Sequence, residues 1–158
     1  MLRVAPEPGV APSGVFVAST SLRRFTGSSF SAKVGVVASG DVNAKLRLLA
    51  APPLDQTHAI GFAFERGVLY ALHTLAGDAR LLAAAPYDPS AHAFWRLREA
   101  SGTVLWETSP DGIAWAPLAA LPASALGFST DLVTPILDAV EYGPVAAPGA
   151  ATFERLNR

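Results

Sequence analysis

The chain has 158 residues, 51% of them hydrophobic and 16% charged, with a formal net charge of −1. One domain of this size can bury roughly 70% of its unfolded-state surface, so neither disorder nor a stapled mini-fold is expected. The absence of cysteine excludes disulfides and thiolate metal sites. The near-neutral charge offers no broad basic field for nucleic acid.

In chain order, residues 1–13 (MLRVAPEPGVAPS) are rich in proline and are expected as an extended N-terminal arm, with no signal-peptide pattern visible. Residues 14–158 are expected as one β-sandwich domain without repeat or linker. The 13 prolines and 13 glycines leave few stretches long enough for a helix. Between them lie short alternating or β-branched runs: GVFVAST, SSFSAKVGVV, AKLRLLA, AIGFAF, GVLYALHTL, ARLLAAA, AFWRLRE, TVLWET, LVTPILDAV and ATFERL. Many short strands with turns between them predict an all-β sandwich or barrel. Residues 50–59 (AAPPLDQTHA) are expected as a loop, and LPASALGF as one helical turn. No run approaches the ~20 apolar residues of a membrane span.

Two hairpins can be read in register. With Arg66–Gly67 as a two-residue turn, Phe64 opposes Leu69, Phe62 opposes Ala71, Ile60 opposes His73 and Ala63 opposes Tyr70. With Ser101–Gly102 as the turn, Glu99 opposes Val104, Leu97 opposes Trp106 and Trp95 opposes Thr108. Trp95, Leu97, Val104 and Trp106 then share one face. Arg96, Arg98, Leu105 and Glu107 share the other, with Arg96 opposite Glu107. A three-residue turn would mix these faces, which a half-buried pair of strands disfavours. SPDG (109–112) suits a type I turn in which Asp111 bonds its own backbone.

The segment YDPSAHAFWRLREASGTVLWETSPDGIAW (87–115) resembles concanavalin A-like lectin/glucanase domains, the jelly-roll group that includes laminin-G-like modules. The likeness rests on Tyr87-Asp88-Pro89, the Trp95–Glu99 run, Gly102-Thr103-Val104, Trp106-Glu107 and Ser109–Gly112 with Trp115. LRRFTGSSFSAKVGV, LVTPILDAVEYG and ATFERL extend it loosely over most of the chain. The resemblance implies a two-sheet antiparallel jelly-roll sandwich of the kind found in bacterial surface proteins and phage tail or virion proteins. Catalytic members carry Glu-x-Asp-x-Glu on one strand, so that two carboxylates flank a glycosidic bond. This sequence has no such spacing, and it is therefore expected not to be an enzyme.

The expected function is glycan binding or attachment, with a purely structural virion or decoration subunit as the alternative and a polysaccharide hydrolase or lyase as the third. Trp115 and Tyr87, near turns, are candidate sugar platforms, and Arg96, Glu107 and Arg98 complete the candidate site. Trp95 and Trp106 are expected in the core. His58, His73 and His92 are scattered and form no zinc pattern. No metal or other cofactor is expected; oxygens in 39–43 and 138–143 leave calcium open without an EF-hand spacing. Neither G-x-S-x-G nor a phosphate loop occurs. Expected partners are a glycan or cell-surface polysaccharide and other chains of an assembly, including further copies, but not nucleic acid or a membrane span. The mean hydropathy of +0.33 favours burial in such an assembly, at a virion or cell surface.

Overall fold

The computed structural model describes residues 1–5, 13–37, 44–55, 57–141 and 150–154. Twelve strands are present among them: β1 Leu2–Val4, β2 Ser13–Ala18, β3 Ser29–Val37, β4 Ala44–Ala51, β5 Ala59–Glu65, β6 Val68–Leu75, β7 Asp78–Pro86, β8 Phe94–Ala100, β9 Thr103–Ser109, β10 Ala116–Pro122, β11 Thr134–Glu141 and β12 Ala150–Glu154. A single 3₁₀ turn, Ala123–Ala125, falls inside the stretch expected to be helical.

The strands form two six-stranded antiparallel sheets. The first has the order β1-β12-β3-β8-β9-β10 and the second β2-β11-β4-β5-β6-β7. This is the expected all-β, two-sheet jelly-roll sandwich. Within residues 1–13, Leu2–Val4 are a strand paired with β12, and Leu2 packs on the core; residues 6–12 of the expected arm lie outside the described residues.

Both hairpins take the register read from the sequence. Around Arg66–Gly67, Phe64 pairs with Leu69 and Ile60 with His73. Around Ser101–Gly102, Leu97 pairs with Trp106 and Arg96 with Glu107. Each turn has two consecutive residues at positive φ (54° and 74°; 51° and 80°), the twist that joins two right-twisted strands. A third hairpin, β6–β7, turns through Ala76–Gly77 with φ of 52° and 87°. Strand β10 holds Pro117 and Pro122, which an edge strand tolerates because one row of its N–H groups needs no partner.

The core lies between the sheets. Trp95, Leu97, Val104 and Trp106 from the first sheet meet Leu48, Ile60, Phe62 and Leu69 from the second, all of them buried. Phe62 and Trp95 have ring centroids 5.5 Å apart across this interface. Each such side chain contributes about 1.5–3 kcal/mol by leaving water. Leu97 occupies the same inward face as Trp95, which fixes Arg96 and Arg98 outward.

Candidate functional site

The outward face of β8 and β9 carries the candidate residues. Arg96 and Glu107 are direct cross-strand partners, and Arg98 follows two positions along β8. The Glu107 carboxylate accepts three guanidinium hydrogen bonds. Its Oε2 takes Arg96 Nε at 2.8 Å and Arg98 Nε at 3.0 Å, and its Oε1 takes Arg98 Nη2 at 2.8 Å. Glu107 is only 4% exposed, whereas the Arg96 and Arg98 side chains are 20% and 35% exposed. Burial pushes the Glu107 carboxyl up, but the hydrogen bonds and charges of Arg98 and Arg96 outweigh it and hold the group below the ordinary carboxylate range. Bonding to Glu107 raises the Arg98 guanidinium in turn.

Trp115 joins this cluster from the segment after the SPDG turn. The Arg96 guanidinium carbon lies 3.9 Å from its ring centroid, a cation–π contact. That position depends on the turn itself: Asp111 Oδ1 accepts the N–H of Ile113 at 2.7 Å and of Ala114 at 2.9 Å, while Ser109 Oγ accepts Gly112 N–H at 2.9 Å. The Ile113 and Ala114 bonds, with one from the Ser109 hydroxyl, lower the Asp111 carboxyl. On the other flank, β3 sets Ser31 opposite Arg96 and Ser29 opposite Arg98. The structure thus brings Arg96, Arg98, Glu107 and Trp115 together on one surface.

Tyr87 is placed elsewhere. Its ring lies edge-on to Phe64 at 5.0 Å and to Trp95 at 6.3 Å, on the core side of the first sheet. Its hydroxyl is buried without a hydrogen-bond partner, and burial together with the charge of Asp88 pushes its pKa up to about 12. It closes one end of the core rather than extending the Arg96 surface.

A second ion pair escaped the sequence reading. On the outward face of the second sheet, Arg47 of β4 clamps Asp138 of β11, with Nε–Oδ1 at 2.8 Å and Nη2–Oδ2 at 2.6 Å. Burial raises the Asp138 carboxyl above its usual range, against the pull of Arg47. The two residues are 91 positions apart, and only the β4–β11 pairing makes them neighbours. This bond engages the Asp138 carboxylate considered for calcium in 138–143, while 39–43 and 142–143 lie outside the described residues. No group of three or more His, Cys, Asp or Glu suited to a metal occurs among the described residues. The histidines serve other ends: His73 Nε2 is 3.0 Å from the Leu126 carbonyl, His58 Nδ1 is 2.8 Å from Asp55, and His92 Nδ1 accepts Asp88 N–H at 3.0 Å.

Compared with known proteins, the chain matches no protein-family profile and no curated sequence. Solved structures do match. The catalytic domain of an endo-1,3-β-glucanase (laminarinase) from Thermotoga petrophila superposes with a TM-score of 0.66 at 8% identity, over 98% of this chain and 74% of that one. A structure from work on endo-acting O-glycanases, which human gut bacteria express to initiate mucin breakdown, gives 0.67 at 10% identity, over 96% and 75%. A mixed-linkage glucan GH16 protein of Bacteroides ovatus, in complex with its product, gives 0.66 at 6% identity, over 98% and 79%. These matches overturn the expectation that the chain is not an enzyme. Most of the chains that share its architecture over about three-quarters of their own length are described as glycan-cleaving enzymes, although one is a functionally unknown protein from Saccharomyces cerevisiae and the Glu-x-Asp-x-Glu strand is missing here. At such identities the likeness extends to the fold alone: this chain has the concanavalin A-like jelly-roll sandwich fold.

Proposed function

We propose that this chain is a carbohydrate-active domain of the glycoside-hydrolase type, engaging a glycan on the outward face of β8 and β9. The observation that carries this reading is the Arg96–Trp115 stack anchored by Glu107. It combines an apolar ring, fixed hydrogen-bond donors and a rigid strand platform, the mixture of surfaces by which polar ligands are held in place. The glycan-cleaving proteins that share the fold support it.

Chemistry at this face is constrained by its charges. Glycosidic cleavage uses two carboxyl groups about 5–10 Å apart, one of them able to donate a proton. Glu107 is held ionised by two guanidinium groups and is suited to stabilise positive charge, not to protonate a leaving group. Asp138, raised by burial, belongs to the outward face of the other sheet and cannot flank the same bond. Glycan engagement is the step shared by binding and cleaving uses of the fold. The proposed setting is a cell surface or virion assembly, a reading supported by the exposed apolar side chains Phe16 and Leu81.

The test is retention in native gels containing laminarin, mixed-linkage glucan, polygalacturonate or mucin, run beside an assay of reducing-end release. Retention on at least one of these glycans, reduced by Trp115→Ala, is expected. A panel with neither retention nor release refutes the proposal.

A further inference from the structure

We infer that the Arg96–Arg98–Glu107–Trp115 surface selects a saccharide bearing a carboxylate, a uronate, over a neutral one. This rests on the proposed function and narrows it to a substrate class.

The argument starts from donors and acceptors. Neutral sugar hydroxyls both donate and accept, so a site built for them needs protein acceptors as well as donors. Glu107 is the carboxylate at the centre of this surface, and both its oxygens are already engaged by guanidinium N–H groups. Arg96 commits only Nε to it, and Arg98 commits Nε and Nη2. Among the described residues, the remaining terminal N–H groups of both side chains have no protein partner. The uncommitted guanidinium N–H groups therefore outweigh the acceptors beside them, which are the Ser29 hydroxyl and the remaining lone-pair capacity of Glu107, and they complement an acceptor-only carboxylate.

Charge points the same way. Two guanidinium groups face one carboxylate, leaving one positive charge in excess. The nearby Lys33 on β3 pairs with Glu154 on β12 at 3.8 Å, so it neither adds to nor removes that excess. Strand β3 presents Ser29 and Ser31 beside the two arginines, with no acidic side chain at either position. Rigidity completes the case. A buried glutamate fixes Arg96 and Arg98 side by side, and Trp115 holds the Arg96 plane from one side. Guanidinium groups ordered in advance lose less freedom when a carboxylate docks. Trp115, half-buried next to them, provides apolar contact for the C–H face of the sugar ring.

The experiment is titration calorimetry of the full chain with trigalacturonate, laminaritriose and citrate, at low and high salt. Trigalacturonate is expected to bind at least tenfold more tightly than laminaritriose and to weaken several-fold as salt rises. Arg98→Gln is expected to lower trigalacturonate affinity at least tenfold, and Arg98→Lys, which keeps the charge but not the fork, to lie between. Arg98 is the more exposed arginine, so both variants are expected to fold, as a thermal melt will confirm. Equal affinity for the two trisaccharides, or no effect of Arg98→Gln, overturns the uronate assignment while leaving glycan engagement standing. Citrate binding as tightly as trigalacturonate also overturns it, showing a bare anion site. If neither trisaccharide binds, the assignment falls, and the polysaccharide gels decide separately on the wider function.

Discussion

The indole Nε1 of Trp106 donates to the backbone carbonyl of Gly61 at 2.8 Å, a hydrogen bond that crosses the core from one sheet to the other. Trp106 is fully buried, so Trp106→Phe removes both ring volume and the indole N–H that donates to that carbonyl. A loss of about 2–4 kcal/mol is expected, from the cavity and the lost inter-sheet hydrogen bond together. Urea unfolding followed by the remaining tryptophan fluorescence measures it. A loss below about 1 kcal/mol would show that the inter-sheet bond carries little.

Gly61 has its own constraint. A Cβ there would lie 2.2 Å from the Leu48 carbonyl oxygen and 2.6 Å from a Leu49 methyl, so backbone must move to admit it. Gly61→Ala is expected to cost about 1–3 kcal/mol or more by forcing β4 and β5 apart. The same unfolding curves test this, and an unchanged midpoint would contradict the close approach.

Tyr87 keeps a buried hydroxyl with no partner. Tyr87→Phe is expected to be neutral or to stabilise by up to about 1 kcal/mol, because the desolvated O–H is removed with little change of shape. The pH dependence follows from the raised value of about 12 against 10.0 in an open chain. The unfolded form loses its proton first, so this group lowers stability as pH climbs from about 10 towards 12. The phenylalanine variant is expected to lose that part of the alkaline decline, as read from denaturation midpoints at pH 9 and 11.

Glu107 behaves in the opposite sense. Its carboxyl is lowered when folded, so its stabilisation is present above the open-chain value of 4.5 and disappears as pH falls through the lower folded value. Glu107→Gln is expected to be less stable than the parent at pH 7 and to show a smaller loss on acidification. Two acid titrations followed by circular dichroism compare them. Parallel acid limbs would show that the two arginines do not tune this group.

How much of this was legible in the sequence depends on distance along the chain. The 94–109 hairpin was readable in full because alternation and a Ser-Gly turn fix its register locally, and the Arg96–Glu107 pair came with it. The β6–β7 hairpin was missed as a hairpin, since Ala76 hides a turn whose φ of 52° normally calls for Asn or Gly. Strand β10 was missed because its two prolines and its alanines look like a loop. The place of Arg98 on Glu107 follows from side-chain reach, not from direct opposition. The Arg47–Asp138 pair and the siting of β3 beside β8 were beyond reach, because they depend on which distant strands become neighbours. Tyr87 lies near a turn in sequence, and nothing local reveals that its ring folds inward onto Phe64 and Trp95.

The first and last strands are woven together. Strand β12 lies between β1 and β3, and β11 lies between β2 and β4. A nascent chain emerging from the ribosome therefore holds two early strands whose neighbours have not yet been made. Vectorial synthesis can close the central hairpins, but each sheet is completed only when the final quarter of the polypeptide arrives. Such far-apart pairings make folding slow, and stalled fragments would display open sheet edges to one another before the native neighbours could cover them.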